Sequence, residues 1–169
     1  MTLEALNGAP PERAADALRR VMGSRAWVEA MVAARPFASR EALIEAASRA
    51  ADRMALADWL EAFAAHPRIG EVSELRAKFA STAAWAGGEQ AGAAVADEAT
   101  LAALAEANHA YEEKFGFRFI VCATGKSAAE MLAIVRSRLG RPLEGEWRLA
   151  AIEQMQISRL RIDKLLAED

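Results

Sequence analysis

The chain has 169 residues, 53% of them hydrophobic and including four Trp and six Phe, which is enough apolar material for a sizeable core in one domain and excludes disorder. Its 21 basic and 24 acidic residues are intermixed and leave a net charge of −3, so the basic stripe that a nucleic-acid backbone requires is missing. A lone cysteine, Cys122, excludes an intramolecular disulfide framework, and no run approaches the roughly 18 uninterrupted apolar residues of a membrane span. Residues 1–11 lack the basic stretch and apolar core of a secretory leader, so a cytoplasmic protein is expected.

Pro10 and Pro11 stand where a helix can begin, and Arg13 to Met22 carries leucine, valine and methionine at helical spacing before Gly23 ends it. Arg25 to Ala34 follows, stopping ahead of Arg35-Pro36-Phe37. Ser39 is an N-cap for a helix to about Met54. Ala55 to Ala65 places Leu56, Trp59, Leu60 and Phe63 on one face, which is expected in the core. The run His66-Pro67-Arg68-Ile69-Gly70 then interrupts an alanine-rich helical chain. Pro67 biases His66 away from the helical region, so helix growth is predicted to stop at or just before the imidazole. Ser73 can cap a helix through Trp85, Gly87-Gly88 breaks it, and Glu89 opens a short helix to about Ala96. Asp97 caps the next, to Lys114. Phe117 to Ala123 has strand propensity but no second strand to pair with, which predicts an extended buried segment whose backbone amides need other partners. Ser127 and Glu130 form a capping box for a helix to Leu139, and Gly140 with Pro142 separates it from a last helix over about Gly145 to Ala167. The expected architecture is a single-domain all-α bundle of about eight to nine helices over residues 1–169.

Most of the apparent motifs dissolve on inspection. Thr124-Gly125-Lys126-Ser127 resembles the tail of a phosphate-binding loop, but the position reserved for that motif's first glycine holds Ile120, so a turn and N-cap is the better account. His66 and His109 are far apart and no paired His or Cys spacing exists, so no metal site is expected. Cys122 sits in the most apolar run and reads as a small core residue, and His109 lies among glutamates on a solvated face. What remains is His66, which either caps a helix end or acts as an acid or base, and Glu89-Gln90 at a helix start that favours an ionised carboxylate. In the last helix, Arg161 and Arg159 both have stems along an apolar stripe, and periodicity does not choose between them.

The order of Arg35-Pro36-Phe37, His66-Pro67-Arg68-Ile69-Gly70, Gly88-Glu89-Gln90, Phe117 to Ala123 and Ile157-Ser158-Arg159-Leu160-Arg161-Ile162 resembles that of the 2-oxo-4-hydroxy-4-carboxy-5-ureidoimidazoline (OHCU) decarboxylases of urate breakdown, over about residues 5 to 167. The resemblance implies an all-α, cofactor-free homodimeric enzyme that makes (S)-allantoin from a small ureido-imidazoline. It makes His66 and Glu89 the catalytic pair and Arg161, through the terminal Arg-Leu-Arg-Ile pattern, the cation that holds substrate. Pro67 and Gln90 would line the pocket, and backbone groups near Val121 and Ala123 would bind the ring amides. Many members carry a hydroxyl residue three positions before the glutamate; here that position is Ala86, a departure that puts one substrate hydrogen bond in doubt. Two other readings stand beside this one: a divergent enzyme acting on a related ureido-imidazoline, and a non-catalytic helical interaction module in which the histidine turn is structural.

Overall fold

Helix is the only regular structure among the residues that the computed structural model describes, which are 1–66, 72–73, 75–77 and 97–167. The helices bounded within them are α1 (Leu3–Gly8), α2 (Pro11–Val21), α3 (Arg25–Ala33), α4 (Arg40–Ala51), α5 (Leu56–Ala64), α6 (Glu98–Phe115), α7 (Ala128–Leu139) and α8 (Leu143–Ala167). The chain divides into two compact units, Met1–His66 with Ala151–Asp169, and Pro67–Ala150.

In the first unit Ser39 caps α4 as expected, accepting from the Ala42 N–H, and Ser24, which the sequence reading did not single out, does the same for Trp27 at the start of α3. Pro11 occupies the first position of α2, where its missing N–H costs nothing. α1 is a helix that periodicity did not announce: it spans six residues, and Thr2 caps it by accepting from Ala5. Its last carbonyls are claimed from a distance, since Arg35 Nη1 donates to Leu6 O at 2.7 Å and to Ala9 O at 2.8 Å. Trp27, fully buried, donates its indole N–H to Ala47 O at 3.1 Å, which joins α3 to α4. Leu6, Leu18, Met31, Leu43, Phe63 and Ile162 complete the core, each burial stabilising the fold by about 1.5–3 kcal/mol. One expectation fails here. Of the four residues assigned to the buried face of α5, Trp59 and Phe63 are buried, but Leu56 is 45% and Leu60 37% exposed. The arc of α5 that meets its neighbours is narrower than its apolar stripe.

The second unit is built on α6 and α7. Asp97 caps α6 by accepting from Thr100, and Gly116, at φ +75°, closes its end in the left-handed region that glycine adopts without strain. The run after it is neither helix nor strand, as predicted. Phe117, Ile120 and Cys122 are buried, and Val121 and Ala123 are half-buried. Two of its carbonyls find side-chain donors: Arg138 Nη1 reaches Ile120 O and Lys126 Nζ reaches Cys122 O, each at 2.6 Å. Arg138 is itself buried, and its guanidinium lies 4.8 Å from the centre of the Phe119 ring. Its charge meets that of Glu146, which is fully buried and receives Arg138 Nε at 2.5 Å and the Tyr111 hydroxyl. The second Glu146 oxygen makes no hydrogen bond among the described residues but lies 3.2 Å from Arg141 Nε, so two cations compensate one carboxylate. Burial, and then the bond to Glu146, push the Tyr111 hydroxyl well above its ordinary pKa, so it remains a donor at any physiological pH. Ser127 and Glu130 form the predicted reciprocal box at the start of α7. α8 begins at Leu143, two positions earlier than expected and directly after Pro142. Val72, Ser73 and residues 75–77 are helical, which places Ser73 inside a helix rather than at its cap. The remainder of the predicted Ser73–Trp85 helix and the Glu89–Ala96 helix lie outside the described residues.

Candidate active site

α5 ends where the X-Pro argument stops it. Ala65 is the C-cap, its N–H bonding Glu61 O and Ala62 O, and His66 follows as the first residue outside, its own N–H on Phe63 O at 3.2 Å. The half-buried imidazole is carried to the middle of α8, where Nε2 lies 2.5 Å from Gln154 Oε1. Gln154 is fully buried and its amide nitrogen donates to Ser158 Oγ, also fully buried, at 3.2 Å.

Gln154, Ser158 and Arg161 stand at i, i+4 and i+7 of one helix, hence on one face and spread over about 10 Å along the axis. Arg161 is half-buried, and Nη1 donates to Val21 O at 3.2 Å. Burial lowers its pKa from the ordinary arginine value, although a guanidinium stays charged throughout the physiological range. Among the described residues no carboxylate pairs with it. Arg159 points the other way in the energetic sense: it is exposed and contributes to the field that lowers the Asp163 pKa. Of the two arginines that periodicity left open, Arg161 is the one partly withdrawn from water on the face that carries Gln154.

The remaining residues singled out in the sequence divide by location. Val121 and Ala123 belong to the second unit, and neither the N–H nor the carbonyl of Val121 makes a hydrogen bond among the described residues. Pro67, Glu89, Gln90 and the Ala86 departure lie outside the described residues. Gln154 and Ser158 are polar contributors that the sequence reading passed over. The only signal was their spacing in the stripe Ala151, Ser158, Ile162, Leu165, where a buried polar pair must have a partner.

These features define a helical protein that holds an imidazole and a partly desolvated cation on one helix, a combination suited to proton transfer on an anionic ligand. Residues 7–163 match the OHCU decarboxylase family, and the chain belongs to that family. It is 39% identical over 150 residues to the uric acid degradation bifunctional protein TTL of Arabidopsis thaliana, covering 86% of this chain but 45% of that protein. It is 29% identical over 166 residues to the 2-oxo-4-hydroxy-4-carboxy-5-ureidoimidazoline decarboxylase of Halalkalicoccus jeotgali, covering 98% of this chain and 92% of that one. Among solved structures it resembles an OHCU decarboxylase crystallised in the presence of (S)-allantoin, with a TM-score of 0.74, 33% identity and coverage of 95% of this chain and 100% of the other. The all-α architecture expected from the sequence is therefore that of the family. No helix among the described residues is long and apolar enough to cross a membrane.

Proposed function

We propose that the protein converts 2-oxo-4-hydroxy-4-carboxy-5-ureidoimidazoline to (S)-allantoin without a cofactor, as a cytoplasmic homodimer of one helical domain. The observation that carries the reading is that one face of α8 anchors the imidazole, through Gln154, and also carries a half-buried guanidinium with no carboxylate partner among the described residues. Arg161 holds the carboxylate of the substrate. His66 exchanges the proton and Glu89 steadies the imidazolium, as a carboxylate partner does in other catalytic pairs. Pro67 and Gln90 line the pocket, and the backbone groups of Val121, which make no hydrogen bond among the described residues, suit the ring amides with those of Ala123.

The chemistry asks no more of the protein. When the carbon–carboxylate bond breaks, its electron pair forms a double bond to the adjacent imine carbon and the imine nitrogen takes a proton, so the substrate is its own electron sink. The resulting enol gives up its hydroxyl proton while the ureido-bearing carbon takes a proton on one face, which sets the (S) configuration. His66→Ala and Glu89→Ala should each abolish formation of optically active allantoin from freshly generated substrate, with circular dichroism and melting close to wild type. Unchanged turnover in both variants would refute the assignment.

A further inference from the structure

We propose that Arg138 and Lys126 are positioning residues that aim and polarise the peptide N–H groups of Val121 and Ala123, making them a pair of donors for a carbonyl oxygen of a hydantoin-like ring. Residues 117–123 belong to neither helix nor strand, so no ladder sets the direction of their peptide groups and side chains have to. Arg138 Nη1 donates to Ile120 O and Lys126 Nζ to Cys122 O, each at 2.6 Å. The C=O and N–H of one trans peptide unit lie in a plane and point opposite ways. A donor gripping Ile120 O therefore fixes where the Val121 N–H points, and one gripping Cys122 O does the same for the Ala123 N–H. Neither N–H makes a hydrogen bond among the described residues. Buried Ile120 and Cys122 alternate with half-buried Val121 and Ala123, as in extended backbone, where peptide units two apart face the same way. Both N–H groups are thus offered to one side, and an N–H can only donate.

The two grips are anchored differently. Arg138 is buried and held in place: Nε donates to Glu146 Oε1 at 2.5 Å, and Nη2 reaches the Tyr111 hydroxyl at 3.3 Å. Lys126 is half-buried and follows Gly125 at φ +76°, with its own N–H on Ala123 O at 3.0 Å, a turn from which Nζ reaches back to Cys122. A charged donor on a carbonyl also draws electron density from the N–H of the same peptide group, because linked hydrogen bonds polarise one another. Each cation thereby strengthens a donor that it does not touch. This rests on the reading in which the backbone of Val121 and Ala123 takes the substrate ring, and it gives the turn ahead of α7 a part in binding.

The test titrates the 15N-labelled full-length chain with hydantoin and follows the amide cross-peaks, among which those of Val121 and Ala123 should move most. Lys126→Met keeps the apolar stem and removes the donor. It should shift the Ala123 cross-peak of the free protein and weaken hydantoin about fivefold, the worth of one hydrogen bond, with melting close to wild type. Lys126→Arg should return both the shift and the affinity. Arg138→Lys, which keeps a cation against Glu146 but gives up the fork, should have the corresponding effect at Val121. Lys126 lies outside the Glu146 cluster, so its variants decide the matter even where Arg138→Lys does not fold. Tyr111→Phe leaves both carbonyls gripped, so it should lower stability without changing hydantoin affinity, which separates lost packing from lost aim. Val121 and Ala123 cross-peaks that ignore hydantoin overturn the proposal, and so does a Lys126→Met variant that binds it as tightly as wild type. A wild type that binds hydantoin at these amides, and loses affinity in Lys126→Met, but makes no (S)-allantoin would instead sink the functional reading and leave this inference standing.

Discussion

Gly23 lies between α2 and α3, and a Cβ built on it would sit 2.2 Å from the Cβ of Ala65, the residue before His66. Ordinary contact begins at about 3.4 Å, so Gly23→Ala has to separate the two backbones by about 1.2 Å. Which side yields follows from the packing. Met22 and Ser24 flank Gly23 and are fully buried, whereas Ala65 is exposed at the end of α5, so the last turn of α5 gives way and takes His66 with it. Overpacking that a helix end can relieve should cost about 1 kcal/mol, the low end of the usual range, which for a chain of this length is a fall in Tm of about 2–4 °C. Activity should suffer more, because a displacement of about 1 Å at a proton-transferring group can cost about a hundredfold in rate. Adding Ala65→Gly removes the obstructing methyl, and the double variant should recover most of the activity even though Ala65→Gly alone lowers stability by about 0.5–1 kcal/mol. The measurements are thermal melts by circular dichroism and initial rates of (S)-allantoin formation. If Gly23→Ala is as active as wild type, or if Ala65→Gly fails to rescue it, the close approach does not position His66 and the reasoning is wrong.

Tyr111→Phe deletes one donor to the buried Glu146 carboxylate while Arg138 and Arg141 remain; melting should show a loss of about 1–3 kcal/mol, with turnover per folded molecule unchanged. Asp163 is bound by Arg40 at 2.6 Å, which holds its pKa below the ordinary carboxylate value. Such a group contributes stability that is present above the unfolded pKa and lost as pH falls through the folded one. Tm should therefore drop more steeply below about pH 4 in wild type than in Asp163→Asn, and the two should converge at the acid limit.

How far the fold was legible depended on how local each determinant is. Ser39, Asp97 and the Ser127–Glu130 box act on residues three positions away, so reading them required only the sequence, and the helices they open begin where expected. α1 was missed because six residues give too little periodicity; what holds it is Thr2 and, from 29 and 26 positions away, Arg35. Leu56 and Leu60 were misplaced because an apolar stripe shows which face a helix can bury, not how much of it a neighbour covers. Arg138 reads as one of two basic residues in the last turn of α7, yet it is buried by partners at 111, 120 and 146. The site shows the same division. The stop before His66 is a local consequence of Pro67, whereas Gln154 lies 88 positions from the ring it holds. Choosing Arg161 over Arg159 required knowing which arc of α8 turns inward, and Ser158, Ile162 and Leu165 supply that.

α8 carries two treatments of buried charge, and the contrast between them yields a further test. Near its start, Glu146 is balanced by Arg138 and Arg141, so its charge is an internal matter of the fold. Near its end, Arg161 is withdrawn from water far enough for its pKa to fall and receives a carbonyl rather than a carboxylate. A partly desolvated cation with no carboxylate partner among the described residues works against folding, so Arg161→Gln should leave the melting temperature of the unliganded protein unchanged or slightly raised. A carboxylate that neutralises the cation must return that cost. Hydantoin-5-acetate, an unreactive ring with a carboxylate, should stabilise wild type by about 2.7 kcal/mol at a hundredfold excess over its Kd, or about 5–10 °C. In Arg161→Gln the shift should shrink to that given by the uncharged parent hydantoin. Were the variant to keep the full shift, the carboxylate would bind elsewhere, and the half-buried guanidinium would be a feature of packing alone.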